Sequence, residues 1–238
     1  MRQYLPMFPR TALVTGGSSG IGAAIVDLLQ SEGADVQSAD LADGFDVADS
    51  DAWGDVGAVE LACLNAGVVA GERDVSRLSD DAYRRILGAN LDGVVFGVRR
   101  LARIMEPGSA IVVTASLAGL VPASEDPIYT LTKHAVIGFV RSVAPQLDER
   151  GIRINAVAPG FVATPLIDTS RFADAGFPLL QPEAVAQAVL LAARGAETGQ
   201  VWVVQPGREP LQFRFPNVPG PRDASGASVG APPAAAPR

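Results

Sequence analysis

The chain has 238 residues, 48% hydrophobic and 19% charged, enough to bury a full core as one α/β domain. A net charge of −7 and a pI of about 4.7 argue against a nucleic-acid or anionic-membrane partner, and no apolar run approaches the roughly 18 residues of a membrane span. With one histidine and one cysteine, neither a His-rich metal site nor a Ser-His-Asp triad is expected, so no metal is assigned. The opening "MRQYLPMFPR" lacks the apolar core and cleavage site of a signal peptide. Cys63 reads as a small buried hydrophobe in a reducing setting, so a cytoplasmic location is expected.

In chain order, "TALVTGG" (11–17) predicts a strand, residues 21–31 a helix, and "GADVQSAD" (33–40) a second strand ending at Asp40. The interval from Asp40 to Cys63 holds little more than a strand at "FDV" (45–47) and one short helical piece, so the helix after the second strand should shrink to a turn. "VELACLNAG" (59–67) is a further strand, 80–105 a long helix, and "SAIVVTAS" (109–116) another strand. A helix follows over 128–147, where Pro145 should kink it or end it early. "IRINAVAPG" (152–160) is a strand, "PEAVAQAVLLAARG" (182–195) a helix, and "QVWVVQPG" (200–207) the strand that closes the sheet. This alternation predicts a single-domain, Rossmann-like, doubly wound parallel sheet with helices on both faces, over residues 1–215. Residues 216–238, rich in Pro, Gly, Ala and Ser, read as a flexible tail, and "LQFRFPNVPGPR" (211–222) is apolar enough at its start to pack on the body or on a neighbouring subunit.

Between the first strand and helix, "VTGGSSGIG" (14–22) places Gly16, Gly20 and Gly22 with Ser18, Ser19 and Ile21. Glycine tolerates the dihedrals of a tight turn and lets another group approach the backbone. The helix N-terminus then offers free N–H groups and a positive dipole end to a pyrophosphate. Asp40, at the end of the second strand, stands where a carboxylate can accept from both ribose hydroxyls of a dinucleotide. Positions 18 and 19 are serines and "DLADGFD" (40–46) has no basic residue to receive a 2′-phosphate, so NAD is expected over NADP. Lys133 is the single lysine among 19 Lys and Arg residues and lies four positions after Tyr129, which points to a site that needs a compact ammonium.

With "TGGSSGIG" (15–22), "NAG" (65–67), "NLDG" (90–93), "TASLAG" (114–119), "YTLTK" (129–133) and "NAVAPGFVATPL" (155–166) in order, the chain resembles the short-chain dehydrogenase/reductase family over roughly residues 10–205. The resemblance implies hydride transfer between a nicotinamide and an alcohol or ketone carbon. It makes Tyr129 the general acid/base, with Lys133 lowering its pKa and holding the nicotinamide ribose. Ser116 becomes the residue that orients the substrate oxygen, and Asn90 the asparagine that kinks the long helix and holds a relay water. Asn65, Ala66 and Gly67 match the strand end beside the adenosine, with Leu64 where the family usually has a second asparagine. Asp46 and Val47 resemble the pair flanking the adenine, and Pro159, Gly160, Val162 and Thr164 the turn over the nicotinamide amide.

The leading reading is therefore an NAD-dependent dehydrogenase of a secondary alcohol or its ketone. An NADPH-dependent carbonyl reductase and a non-catalytic dinucleotide-binding regulator of the same fold are the alternatives, and the complete set Asn90, Ser116, Tyr129 and Lys133 favours an enzyme. Leu117, Val121, Pro122, Phe161 and the segment 166–180 are mostly apolar, which points to a hydrophobic or cyclic substrate. The helix at 128–147 is apolar nearly all round, so it and the helix at 80–105 are expected to form a homodimer or homotetramer interface.

Overall fold

The computed structural model describes residues 8–229. Six short strands, β1 (Thr11–Thr15), β2 (Asp35–Ala39), β3 (Leu61–Leu64), β4 (Ala110–Thr114), β5 (Arg153–Pro159) and β6 (Val201–Val204), lie parallel. A seventh, β7 (Leu211–Gln212), pairs antiparallel with β6. The spatial order is β2-β1-β3-β4-β5-β6-β7. The direction of travel across the sheet reverses between β1 and β3, and in open sheets of this kind ligands bind in the crevice outside the carboxyl ends of the strands at such a point.

Alternate residues of each strand enter opposite cores, as a sheet covered on both faces requires. Leu13, Ile111, Val113 and Ile154 join the core under α3 (Gly93–Ile104) and α4 (Pro127–Asp148). Ala12, Val14, Val112 and Val157 join the other, under α1 (Gly20–Ser31) and α6 (Pro182–Arg194). A helix α2 (Asp80–Leu87) leads into α3, and a short α5 (Ser170–Asp174) precedes α6.

Four details depart from the expected elements. The "FDV" segment forms no strand, so β2 is the sheet edge, while the helix after β2 is reduced, as expected, to the 3-10 turns Leu41–Asp43 and Ala52–Asp55. Trp53 fills the space: it is 2% exposed, its Nε1 donates to the Val47 carbonyl (3.0 Å), and Phe45 meets it edge-on at 5.2 Å. Gly97 of α3 leaves room for this ring, since a Cβ there would lie 2.7 Å from it. The expected long helix is continuous but carries one π-helical turn, Gly88–Asp92, between α2 and α3. The helix through Pro145 does not end early but continues to Asp148. Arg141 and Pro145 both face outward, so water can satisfy the carbonyl that loses its amide partner. Finally, β6 does not close the sheet, because a turn at Gly207 (φ 69°) returns the chain as β7.

Phe213 and Phe215 beyond β7 pack against the α3–α4 core, and Arg141 lies 3.6 Å over the Phe215 ring. Residues 216–229 are exposed and include a turn in which Asp223 accepts from the Ser225 and Ala227 amides. The remainder of the expected tail, 230–238, lies outside the described residues.

Candidate active site

The glycine turn is built as a cradle. Gly16 and Gly20 adopt φ of 67° and 53°, values that L-residues rarely take. A Cβ on Gly16 would lie 2.9 Å from the Ala66 backbone, and one on Gly22 would strike the Gly16 carbonyl. Ser18 and Ser19 are exposed, and Ser19 precedes α1 without a side-chain capping bond, which leaves the helix N-terminus and its N–H groups open to an anion. Thr164 packs on Gly20, since a Cβ there would lie 3.0 Å from its methyl. The turn after β5 therefore meets the cradle.

Asp40 sits beside this cradle but is engaged by it. Its Oδ2 accepts from the Ser18 amide (3.1 Å) and its Oδ1 caps the first 3-10 turn through the Ala42 amide (3.0 Å). The Ala42 bond, followed by others including Ser18, holds its carboxyl below the ordinary range. Capping a turn and facing a ribose are compatible, because each oxygen keeps a second acceptor position. Asp46 is exposed and caps its own turn through the Ala48 amide. Val47 lines a small pocket with Thr15, Leu64, Ala66, Ala89 and Gly93, where the shortened segment reaches the crevice. Val162 turns its side chain into the α6-side core and pairs with Leu180, so any ligand contact there falls to its backbone.

The four candidate catalytic residues converge from three elements. Ser116 follows β4 and caps the 3-10 turn Leu117–Gly119 through Ala118 (3.1 Å). Tyr129 and Lys133 stand one turn apart on α4, with the Lys133 ammonium 5.5 Å from the Tyr129 ring centre. Asn90 lies in the π-turn, fully buried, where it accepts from Val68 N (2.7 Å) and donates to Val68 O (2.9 Å) and Thr132 Oγ1 (3.1 Å). Gly67 joins them, because a Cβ on it would lie 3.2 Å from Asn90 Oδ1 and 3.5 Å from Lys133 Nζ.

Protonation differs from the sequence expectation. Burial raises Tyr129 above the ordinary tyrosine value; a hydrogen bond from Ser116 opposes this and the Asp126 charge adds to it. Lys133 is 4% exposed and burial depresses it to about 8. Its ammonium donates to the Thr114 carbonyl at 2.9 Å instead of pairing with the phenol oxygen. The expected lowering of Tyr129 by Lys133 does not register: desolvation is the largest effect on the phenol, and the groups that act on it are Ser116 and Asp126.

The sequence reading missed the residues that connect these parts. Lys133 bonds the Thr114 carbonyl, Thr114 Oγ1 donates to Asn65 Oδ1 (3.0 Å), and Asn65 Nδ2 reaches the Gly16 carbonyl (3.4 Å). Thr15 Oγ1 accepts from the amides of both Asn65 and Ala66. A signal existed: "VTGG" and "VTAS" each end a strand on threonine just before a site motif.

A parallel sheet with its ligand crevice at β1 and β3, a phosphate cradle and a Ser-Tyr-Lys cluster define a nicotinamide-dinucleotide oxidoreductase. Comparison with known proteins agrees. A family model described as enoyl-(acyl carrier protein) reductase matches residues 46–207. Cyclohexanol dehydrogenase of Acinetobacter sp. (strain SE19) is 32% identical over 76% of this chain and 86% of its own. The (+)-borneol dehydrogenase 2 of Salvia officinalis is 35% identical over 69% of each chain. Among solved structures, BdcA in complex with NADPH shares 30% identity at a TM-score of 0.75, covering 82% of this chain and 92% of that one. A short chain dehydrogenase from Burkholderia cenocepacia J2315 in complex with NADP has 27% identity and a TM-score of 0.73, over 82% and 96%. The chain belongs to the short-chain dehydrogenase/reductase family. No helix among the described residues is long and apolar enough to cross a membrane.

Proposed function

We propose that the protein is an NAD-preferring dehydrogenase of a cyclic or otherwise hydrophobic secondary alcohol, acting also on the matching ketone. The convergence of Ser116, Tyr129 and Lys133 beside the glycine cradle carries this reading. A bound nicotinamide supplies the hydride acceptor or donor. Tyr129 exchanges a proton with the substrate oxygen, and Ser116, whose hydroxyl favours the ionised form of the same phenol, holds that oxygen in line. Lys133 supplies a buried positive charge and a donor within reach of a ribose. Asn90 fixes the strand end at Val68. Because burial raises Tyr129, the phenol is a proton donor near neutrality, which suits ketone reduction; alcohol oxidation should gain as pH rises.

Large apolar side chains remain exposed around the site: Val121 (53%), Phe161 (50%) and Phe177 (48%). Phe161, Phe172 and Phe177 also contact one another with ring centres 4.6 to 5.9 Å apart. An apolar ring is the substrate class such a surface favours. The cyclic alcohols named for cyclohexanol dehydrogenase and borneol dehydrogenase point the same way. NAD is favoured by the ionised Asp40 and the absence of a basic residue in 40–46; the solved relatives holding NADPH or NADP favour the alternative. A homo-oligomer through α3 and α4 is proposed as well, since Leu131 on α4 is 47% exposed. Initial rates with a panel of cyclic and linear secondary alcohols, read as reduced-cofactor absorbance, test the reading. Turnover confined to linear primary alcohols would exclude the proposed substrate class.

A further inference from the structure

The segment that follows Gly67 is short, and two helices hold it, the long one that runs through α2, the π-turn and α3, and α4. Val68 is held through both its amide and its carbonyl by Asn90 from the π-turn. The Val69 carbonyl accepts from Arg85 of α2 at 2.9 Å. The amides of Ala70 and Gly71 both donate to Asp126 Oδ2, at 2.8 and 2.9 Å. Gly71 has φ 74°, which an L-residue rarely adopts, so the chain turns directly after the two amides that meet on that oxygen. The other oxygen of the same carboxylate, Oδ1, accepts from the Tyr129 amide at 2.9 Å as the N-cap of α4.

We infer that Asp126 is a positioning residue that ties the 68–71 loop to the first turn of the Tyr129 helix and so fixes the tyrosine against the substrate side of the site. The inference rests on the oxidoreductase reading above. An N-cap alone needs one acceptor, and serine, asparagine or aspartate would serve. Here the second oxygen is spent on a segment 55 to 56 residues away in the chain. Only a carboxylate supplies acceptors on both sides, because an asparagine would turn an NH2 group toward one of them. Bonds to an ionised acceptor are also the stronger kind.

The same carboxylate acts on Tyr129 by charge, raising its pKa. The other charged groups on the elements packed around this corner are Lys133 on α4, Arg85 on α2, and the exposed Arg73–Glu125 pair (3.7 Å) at the loop's far end. Asp126 is the one whose charge registers on Tyr129.

The test uses the full chain with Asp126→Asn and Asp126→Ser. Both keep a good cap, and both lose the carboxylate. Amide exchange at Ala70 and Gly71 should accelerate by about tenfold or more. The Tyr129 titration, followed by 13C-labelled tyrosine NMR and assigned with Tyr129→Phe, should move to lower pH in both variants. Turnover near neutrality should fall by roughly ten- to a hundredfold, the scale of a small misplacement of a catalytic group, and the alkaline limb of the rate profile should move with the phenol. A purely capping role predicts instead that Asp126→Asn matches wild type in exchange and rate, the titration moving in either case because the charge is gone, and wild-type exchange and rate overturn the inference. If the wild type turns over no alcohol or ketone, the oxidoreductase reading fails; exchange at Ala70 and Gly71 still decides whether Asp126 clamps the loop to the helix.

Discussion

Trp53 offers a direct test of how the shortened segment after β2 is held. The side chain is 2% exposed and packs between Phe45, Gly97 and Leu64. Trp53→Ala removes that packing, leaves a cavity, and strips the Val47 carbonyl of its Nε1 donor. Large-to-small changes of this kind cost about 3–5 kcal/mol, and we take about 4 because the partners belong to the main sheet and α3 and cannot collapse easily. In a chain of this size about 1 kcal/mol lowers Tm by roughly 2–4 °C, so the midpoint should drop by about 8–16 °C. Trp53→Phe keeps most of the ring packing and loses the donor, at a cost of about 1–2 kcal/mol. Thermal unfolding followed by circular dichroism at matched protein concentration measures both. A Trp53→Ala protein within about 1 kcal/mol of wild type would refute the claim that this side chain replaces the missing helix.

Asp40→Ala should weaken NAD and narrow discrimination. An ionised carboxylate about 4 Å from a 2′-phosphate repels by up to roughly 4 kcal/mol at an effective dielectric near 20, less with screening. The ratio of kcat/KM for NAD over NADP should therefore exceed about 100 in wild type and fall at least about tenfold in the variant; a ratio at or below one in wild type contradicts the assignment. Lys133 gives a pH signature in stability. With its folded value near 8 against an ordinary 10.5, the unfolded chain holds more protons between those values, so this group's contribution rises as pH increases through that window. The stability of wild type minus that of Lys133→Met, from urea unfolding, should rise by about 3 kcal/mol from pH 8 to 10.5. A flat difference would mean the ammonium is not buried as described.

Signals local in the chain were legible in the sequence. Gly16, Gly20 and Gly22 announce a cradle because their spacing and position between strand and helix are themselves the requirement. The lone lysine four residues after Tyr129 announces a site for the same reason. Burial is not local, and it was there that the reading failed: a positive charge near a phenol lowers its pKa in water, but α4 desolvates both groups and turns Lys133 toward the Thr114 carbonyl. Asp126 escaped because its partners, Ala70 and Gly71, are adjacent only after the chain has crossed from β3 to α4. The "FDV" segment forms no strand although the β2 edge is open, because Phe45 packs edge-on against Trp53 and the Val47 carbonyl is taken by the Trp53 Nε1.

The central claim is that Tyr129 passes the proton that accompanies hydride transfer. Single-turnover reduction of a cyclic ketone by NADH, compared in wild type and Tyr129→Phe with cofactor affinity measured in parallel, addresses it most directly. The account predicts nearly unchanged NADH binding and a hydride-transfer rate lower by about two to four orders of magnitude. A Tyr129→Phe protein that transfers hydride within a few-fold of wild type would contradict it.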